Sequence, residues 1–157
     1  NAKWYYEMHD MGWNYRADEL TCALGLSQLK RLESNIKERK TLIEEYYSSL
    51  SQNPHITLPL KSCNNYYNIW HLFSILIDFK NLGKSRGIVM KELEEKGIGT
   101  QVHYIPLFLQ PYYRKNQLIT LEGAMQYYNA TLSIPLYNGL NKKDISYISS
   151  KINEVII

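Results

Sequence analysis

A chain of 157 residues, 45% hydrophobic and 21% charged, is long enough to bury one domain's core and too apolar to remain disordered. Its apolar runs, such as residues 75–77, are far too short to cross a bilayer, and no charged-then-apolar leader opens the chain, so no membrane association is expected. The net charge of +3 is small, and its densest basic stretch, residues 37–40, contains Glu38 and runs on to Glu44 and Glu45; this is a solvated helix face rather than a nucleic-acid surface.

Two cysteines, Cys22 and Cys63, stand in no CxxC or zinc spacing. They read as reduced structural thiols of a cytoplasmic protein, with Cys22 on a buried helix face and no metal site. The first residue is Asn1 and not Met, from which a missing upstream segment is expected. Fourteen tyrosines occur, many as doublets such as Tyr46-Tyr47 and Tyr112-Tyr113. An apolar ring with a polar tip suits carbohydrate and nucleotide pockets as well as the edges of a core.

In chain order, residues 1–16 are aromatic and irregular and read as a strap. Asp18 is an N-cap candidate for a helix with Leu20, Ala23, Leu24 and Leu29 at helical spacing. Gly25 inside that pattern predicts close approach of another helix, or a bend. Residues 33–51 continue as an amphipathic helix with Ile36, Leu42, Ile43, Tyr46 and Leu50 as its stripe. Together the two form a long helical stretch of the kind that links domains or builds a dimer face, ended by Pro54 and Pro59.

Residues 70–79 fit a strand buried on both faces or nearly so, and residues 85–96 fit a helix closed by Gly97. Residues 98–104 alternate as a second strand that Pro106 stops. Thr120 caps a helix through Tyr128, residues 132–136 are a third strand, and residues 142–156 are the last helix. The expected fold is α+β: long linker helices, then a sheet of about three strands with helices on one face. The domain division is residues 1–51, strap and linker, and residues 52–157, a small α+β domain.

No nucleophile–base motif, phosphate loop or metal spacing is present. Two segments carry polar chemistry. In residues 12–29, Asn14 and Arg16 precede a helix N-terminus, a place suited to a phosphate or other anion. The alternative is that Asn14 caps a turn and Arg16 pairs with a surface carboxylate. In residues 97–106, His103 and Tyr104 end a strand just before Pro106, where open sheets place ligands. A satisfied structural histidine is the competing reading.

The stretches GWNYRADELTCALGLSQL (12–29), WHLFSI (70–75), GIGTQVHYIPLFLQPYYR (97–114) and LSIPLYNGL (132–140) follow one another in the order of a known pattern. That pattern has G-x-N-x-R before a helix with L-G-x-x-Q-L, then V-H-Y-x-P, then L-S-x-P-L. In all of this the chain resembles the DegT/DnrJ/EryC1/StrS family of sugar aminotransferases, over essentially its whole length. Asp18 stands where many relatives have Thr or Ser, and Trp13 where Tyr or Phe is usual; both changes keep the local chemistry.

The resemblance implies the small C-terminal domain, with its linker, of a fold-type I pyridoxal phosphate aminotransferase. The cofactor's lysine would lie in a large domain outside this chain. It implies that Asn14 reaches the cofactor phosphate of a neighbouring subunit in a homodimer. It also implies that Arg16, again in trans, and His103, Tyr104 and Ile105 contact the substrate. The implied reaction moves an amino group from glutamate to a 4-keto-6-deoxy UDP-sugar in cell-surface glycan biosynthesis. On that reading the fragment has no activity of its own. The rival reading is a free-standing, non-catalytic binding module derived from the same domain.

Overall fold

The computed structural model describes residues 10, 12, 15–61, 68–114 and 121–157. Asn14, Trp13, Cys63 and the Thr120 cap lie outside the described residues. The chain divides into two compact units, Asn1–Glu33 and Ser34–Ile157. The sequence division at residue 51 therefore separates residues that the fold keeps together. Most of the second linker helix packs in the unit that holds the sheet, because its apolar stripe is core.

In the first unit, α1 (Glu19–Leu29) is capped as expected. Asp18 accepts from the Thr21 N–H at 2.7 Å and from the Thr21 hydroxyl at 3.0 Å. These bonds, the backbone one first, hold the Asp18 carboxyl below its ordinary value. None of the α1 residues is buried, and Cys22 is exposed, contrary to the buried face expected for it. Leucines lie all round this helix, so no single stripe exists to select a buried side. A Cβ at Gly25 would meet no described atom within 4 Å, so the close neighbour expected there is not found. The helix stops at Lys30, which breaks the long stretch into two.

In the second unit, α2 (Leu32–Leu50) presents Leu42, Ile43, Tyr46 and Leu50 to the core. The sheet has three antiparallel strands in the order β1 (Ile56–Thr57), β2 (Phe73–Ile77), β3 (Thr131–Ile134). Ile56 sits opposite Ile77, and Phe73, Ser74, Ile75 and Leu76 sit opposite Ile134, Ser133, Leu132 and Thr131. The central strand is close to what the sequence suggests: Phe73, Ile75 and Ile77 are buried, while Ser74 and Leu76 between them are half-buried. Two expectations change in the strands around it. Residues 98–104 form no strand, and only Gln101 bridges to Ser133. The third strand is instead the short β1 between the two prolines.

After β2 the chain makes a short α3 (Phe79–Leu82) and then α4 (Arg86–Glu95), capped by the Ser85 hydroxyl. Past a 3-10 turn (Leu107–Leu109) come α5 (Pro111–Arg114), α6 (Glu122–Ala130) and, after β3, α7 (Lys142–Val155). The sheet's buried face packs against α2, α4 and α7. Val89, Leu93, Ile145, Ile152 and Phe73 are all fully buried. Burying one such side chain contributes roughly 1.5–3 kcal/mol. The start of α7 is a capping box in which Asn141 and Asp144 satisfy each other's backbone N–H groups. Asn53 ties the two ends together, donating to Asn153 Oδ1 at 3.0 Å and to the Ile156 carbonyl at 2.7 Å. No helix among the described residues is long and apolar enough to cross a membrane.

Glu154 on α7 accepts from Lys151 and from Lys96, just past the end of α4, each at 2.7 Å. Hydrogen bonds from Lys151 first and Lys96 second hold its carboxyl at about 2, against an ordinary 4.5. A depressed carboxyl adds stability above its unfolded pKa and loses it as pH falls through the folded one. A Glu154→Gln variant is therefore expected to have a slightly lower urea midpoint than the parent at neutral pH, small because the pair is exposed. The gap should close as pH falls from 4.5 towards 2. A gap that stays constant across that window would show that the carboxylate charge contributes nothing.

Candidate functional site

Strand pairing sets the polar centre of the second unit. Because Phe73, Ile75, Leu132 and Ile134 face the core, their neighbours Ser74 and Ser133 share the opposite face, directly across from each other. On its other side, Ser133 exchanges two backbone hydrogen bonds with Gln101. The Ser133 N–H donates at 2.8 Å and the Gln101 N–H at 3.1 Å. Two residues further, His103 comes onto the same face. Its Nδ1 lies 2.8 Å from Ser133 Oγ, which lies 2.7 Å from Ser74 Oγ. The His103 ring meets the Tyr104 ring edge-on at 4.7 Å, across a cis peptide bond.

A Ser–His contact invites comparison with a nucleophile and its base, and the surroundings exclude it. Ser133 is 5% exposed and its hydroxyl is already engaged by Ser74. The hydroxyl is therefore not free to attack, and no described carboxylate orients the histidine from behind.

Ser133 and His103, with Gln101, form one wall of an open cleft of about 650 Å³. Its polar lining includes Thr100, Gln101, His103, Ser133, Tyr137, Asp144 and Tyr147, over an apolar floor that includes Ile98, Ile134 and Ile148. Tyr147 donates to the Lys96 carbonyl at 3.0 Å. Asp144 keeps one oxygen on the Asn141 N–H at 2.8 Å. The rim turns at Gly97 and Gly139, whose φ angles of 75° and 106° favour glycine.

The second rim is pinned to α2. Glu38 accepts from the Gly139 N–H at 2.8 Å and from Asn138 Nδ2 at 3.1 Å. Those bonds, Gly139 first, hold its carboxyl below the ordinary value. Arg39 donates to Asn138 Oδ1 at 3.0 Å and to the Trp70 and His71 carbonyls at 2.9 and 3.1 Å. One guanidinium thus joins α2, the approach to β2 and the cleft rim.

Of the residues singled out from the sequence, His103 lines the cleft. Tyr104 and Ile105 follow it on exposed backbone, 69% and 47% accessible, outside the lining. Arg16 is exposed in the first unit and is paired with no carboxylate among the described residues. Asn14 lies outside them. Sequence reasoning missed Ser133, Tyr137, Asp144 and Tyr147. The LSIPLYNGL stretch carried the first two, and the spacing of Asp144, Tyr147 and Ile148 on one helix face carried the rest.

The charge of the lining decides what the cleft can hold. Among the described residues it contains no lysine and no arginine, so they offer neither an amine for a Schiff base nor a cation for a phosphate. Pyridoxal phosphate does not fit this cleft. An uncharged, hydroxyl-rich group suits its carboxylate, amide, imidazole and two phenols better.

The sequence profile of the DegT/DnrJ/EryC1/StrS aminotransferase family matches residues 1–153. A spore coat polysaccharide biosynthesis protein of Bacillus subtilis is 33% identical over 99% of this chain and 41% of its own length. The UDP-4-amino-4,6-dideoxy-N-acetyl-beta-L-altrosamine transaminase of Campylobacter jejuni is 32% identical over 98% of this chain and 40% of its own. Among solved structures, an aminotransferase of Helicobacter pylori involved in pseudoaminic acid biosynthesis superposes with a TM-score of 0.85 at 27% identity. That match covers 99% of this chain and 42% of the other. The chain spans about two fifths of the length of the curated relatives it matches.

Proposed function

We propose, on the premise that this chain belongs to the DegT/DnrJ/EryC1/StrS aminotransferase family, as its match over residues 1–153 shows, that the protein containing it transfers an amino group from glutamate to a 4-keto-6-deoxy UDP-sugar for cell-surface glycans. The family match carries this reading. The names of the Bacillus and Campylobacter relatives support the sugar and the glycan. Substrates of this kind place the reaction in the cytoplasm.

Pyridoxal phosphate, held by the remainder of the protein, supplies the electron sink that amino transfer needs. This chain's share is binding. Asn14 anchors the cofactor phosphate of a neighbouring subunit, so the working unit is a homodimer. Arg16, exposed and without a described carboxylate partner, serves the anionic diphosphate. The cleft beside His103, which has no cation among its described residues, takes the uncharged sugar, and the exposed Tyr104 and Ile105 that follow His103 contact the same substrate. The division follows from charge: a diphosphate beside Asp144 would be repelled, whereas sugar hydroxyls can donate to that carboxylate.

The test is the full-length gene product with glutamate and a 4-keto-6-deoxy UDP-sugar. Mass spectrometry should show the amino sugar with an equal amount of 2-oxoglutarate. The 157-residue chain alone should form none, and after dialysis with pyridoxal phosphate should keep no visible absorbance. A full-length protein that aminates no 4-keto nucleotide sugar would overturn the proposal. Retained absorbance on the chain alone would overturn the assignment of the cofactor site to the rest of the protein.

A further inference from the structure

We infer that Ser133, backed by Ser74, is a positioning residue: a two-hydroxyl relay that locks the His103 ring and presents an Nε2–H donor to the cleft. The functional half of this inference rests on His103 being a substrate-contacting group, as proposed above.

The geometry comes first. Ser74 Oγ, Ser133 Oγ and His103 Nδ1 follow one another at 2.7 and 2.8 Å, each link a normal hydrogen bond. The three residues come from β2, β3 and the segment that bridges to β3 at Gln101, so backbone pairing holds every member of the row. An imidazole on an irregular segment is otherwise free to turn about two side-chain torsions. Engaging Nδ1 removes that freedom and leaves Nε2 as the nitrogen that can meet a ligand.

Proton counting then sets the direction. Each hydroxyl has one proton to donate. If Nδ1 carries the ring proton, His103 donates to Ser133, Ser133 donates to Ser74, and the Ser74 proton has no partner among the described residues. If Nε2 carries it, Ser74 donates to Ser133 and Ser133 donates to Nδ1. Both hydroxyl donors are then used, and the one donor left over is Nε2–H at the cleft. Each arrangement leaves one donor over, but only Nε2–H stands where a ligand acceptor can take it, so with a ligand bound the second arrangement satisfies all three donors and wins. Nε2–H is also the form that an acceptor oxygen of a sugar requires.

Two measurements test this, and they fail separately. The first is nitrogen-15 NMR of the ring in this chain, at a pH where His103 is neutral. The parent should hold the Nε2–H form, with Nδ1 shifted as an acceptor of a hydrogen bond. Ser133→Ala should restore the mixture of free imidazole, and Ser74→Ala should move part of the way. A parent ring carrying the proton on Nδ1, or already mixed, overturns the relay whatever the activity.

The second is a double-mutant cycle in the full-length enzyme. Ser133→Ala should lower kcat/KM about three- to tenfold, the weight of one hydrogen bond. In a His103→Ala background it should lower it no further, because it acts through that ring. An equal further loss in that background means that Ser133 serves the sheet and not His103, and overturns the positioning role. Unchanged kcat/KM in His103→Ala itself overturns the substrate contact, and the positioning role with it, while leaving the NMR result standing.

Discussion

Phe73→Ala is expected to lower the unfolding free energy of the chain by about 3–5 kcal/mol, the range for emptying an aromatic site in a core. Phe73 is fully buried at the first position of the central strand. Its ring stacks on Tyr46 at 5.1 Å with 12° between planes, meets Tyr47 edge-on at 5.8 Å and lies 5.6 Å from Trp70. Three aromatic neighbours cannot close on a methyl group, so a cavity remains.

The loss would spread towards the cleft. Tyr46, whose phenol is pushed up in pKa by burial, donates from its Oη to the Pro135 carbonyl at 2.7 Å. Pro135 lines the cleft. Against the total of roughly 5–15 kcal/mol typical of a domain, such a loss leaves a visible unfolded population. Urea unfolding followed by tyrosine fluorescence and circular dichroism measures it. Leu20→Ala is the contrast: Leu20 is 84% exposed, and its loss is expected to stay within about 0.5 kcal/mol. Equal shifts for the two variants would contradict the assignment of Phe73 to the centre of the core.

The second large effect belongs to the proposed activity. Arg16→Ala in the full-length enzyme is expected to lower kcat/KM by about 100-fold, chiefly through KM, as loss of a charge-assisted contact to a diphosphate would do. Arg16→Lys should recover only part, since an ammonium keeps the charge but not the planar fork. Because the side chain is exposed, the folding of this chain should be unaffected. Unchanged kinetics with a UDP-sugar would remove Arg16 from the substrate site. A fall in kcat alone would point to a contact made only during reaction.

The sequence by itself determined the longer helices, though not the break between α1 and α2 or the short α3 and α5. Apolar spacing placed α2, α4 and α7, and the caps at Asp18, Ser85 and Asn141 act within three residues of their own positions. It also carried, through its ordered motifs, the family. What it could not determine depends on which distant segment lies alongside. Residues 98–104 alternate like a strand, but a strand needs a partner, and β3 meets only Gln101. The short β1 was hidden between prolines because its pairing with β2 is not local. Cys22 was misplaced because helical spacing shows that leucines recur but not whether anything in the chain covers them.

The cleft is the clearest case. Ser74, Ser133 and His103 stand 59 and 30 residues apart, and each alone is an ordinary polar residue. Only the antiparallel register of β2 on β3, with the bridge at Gln101, sets them in one hydrogen-bonded row. Register is a long-range property, settled by which faces of the strands must be buried together. For that reason only the tertiary structure could turn a lone histidine into the wall of a cleft.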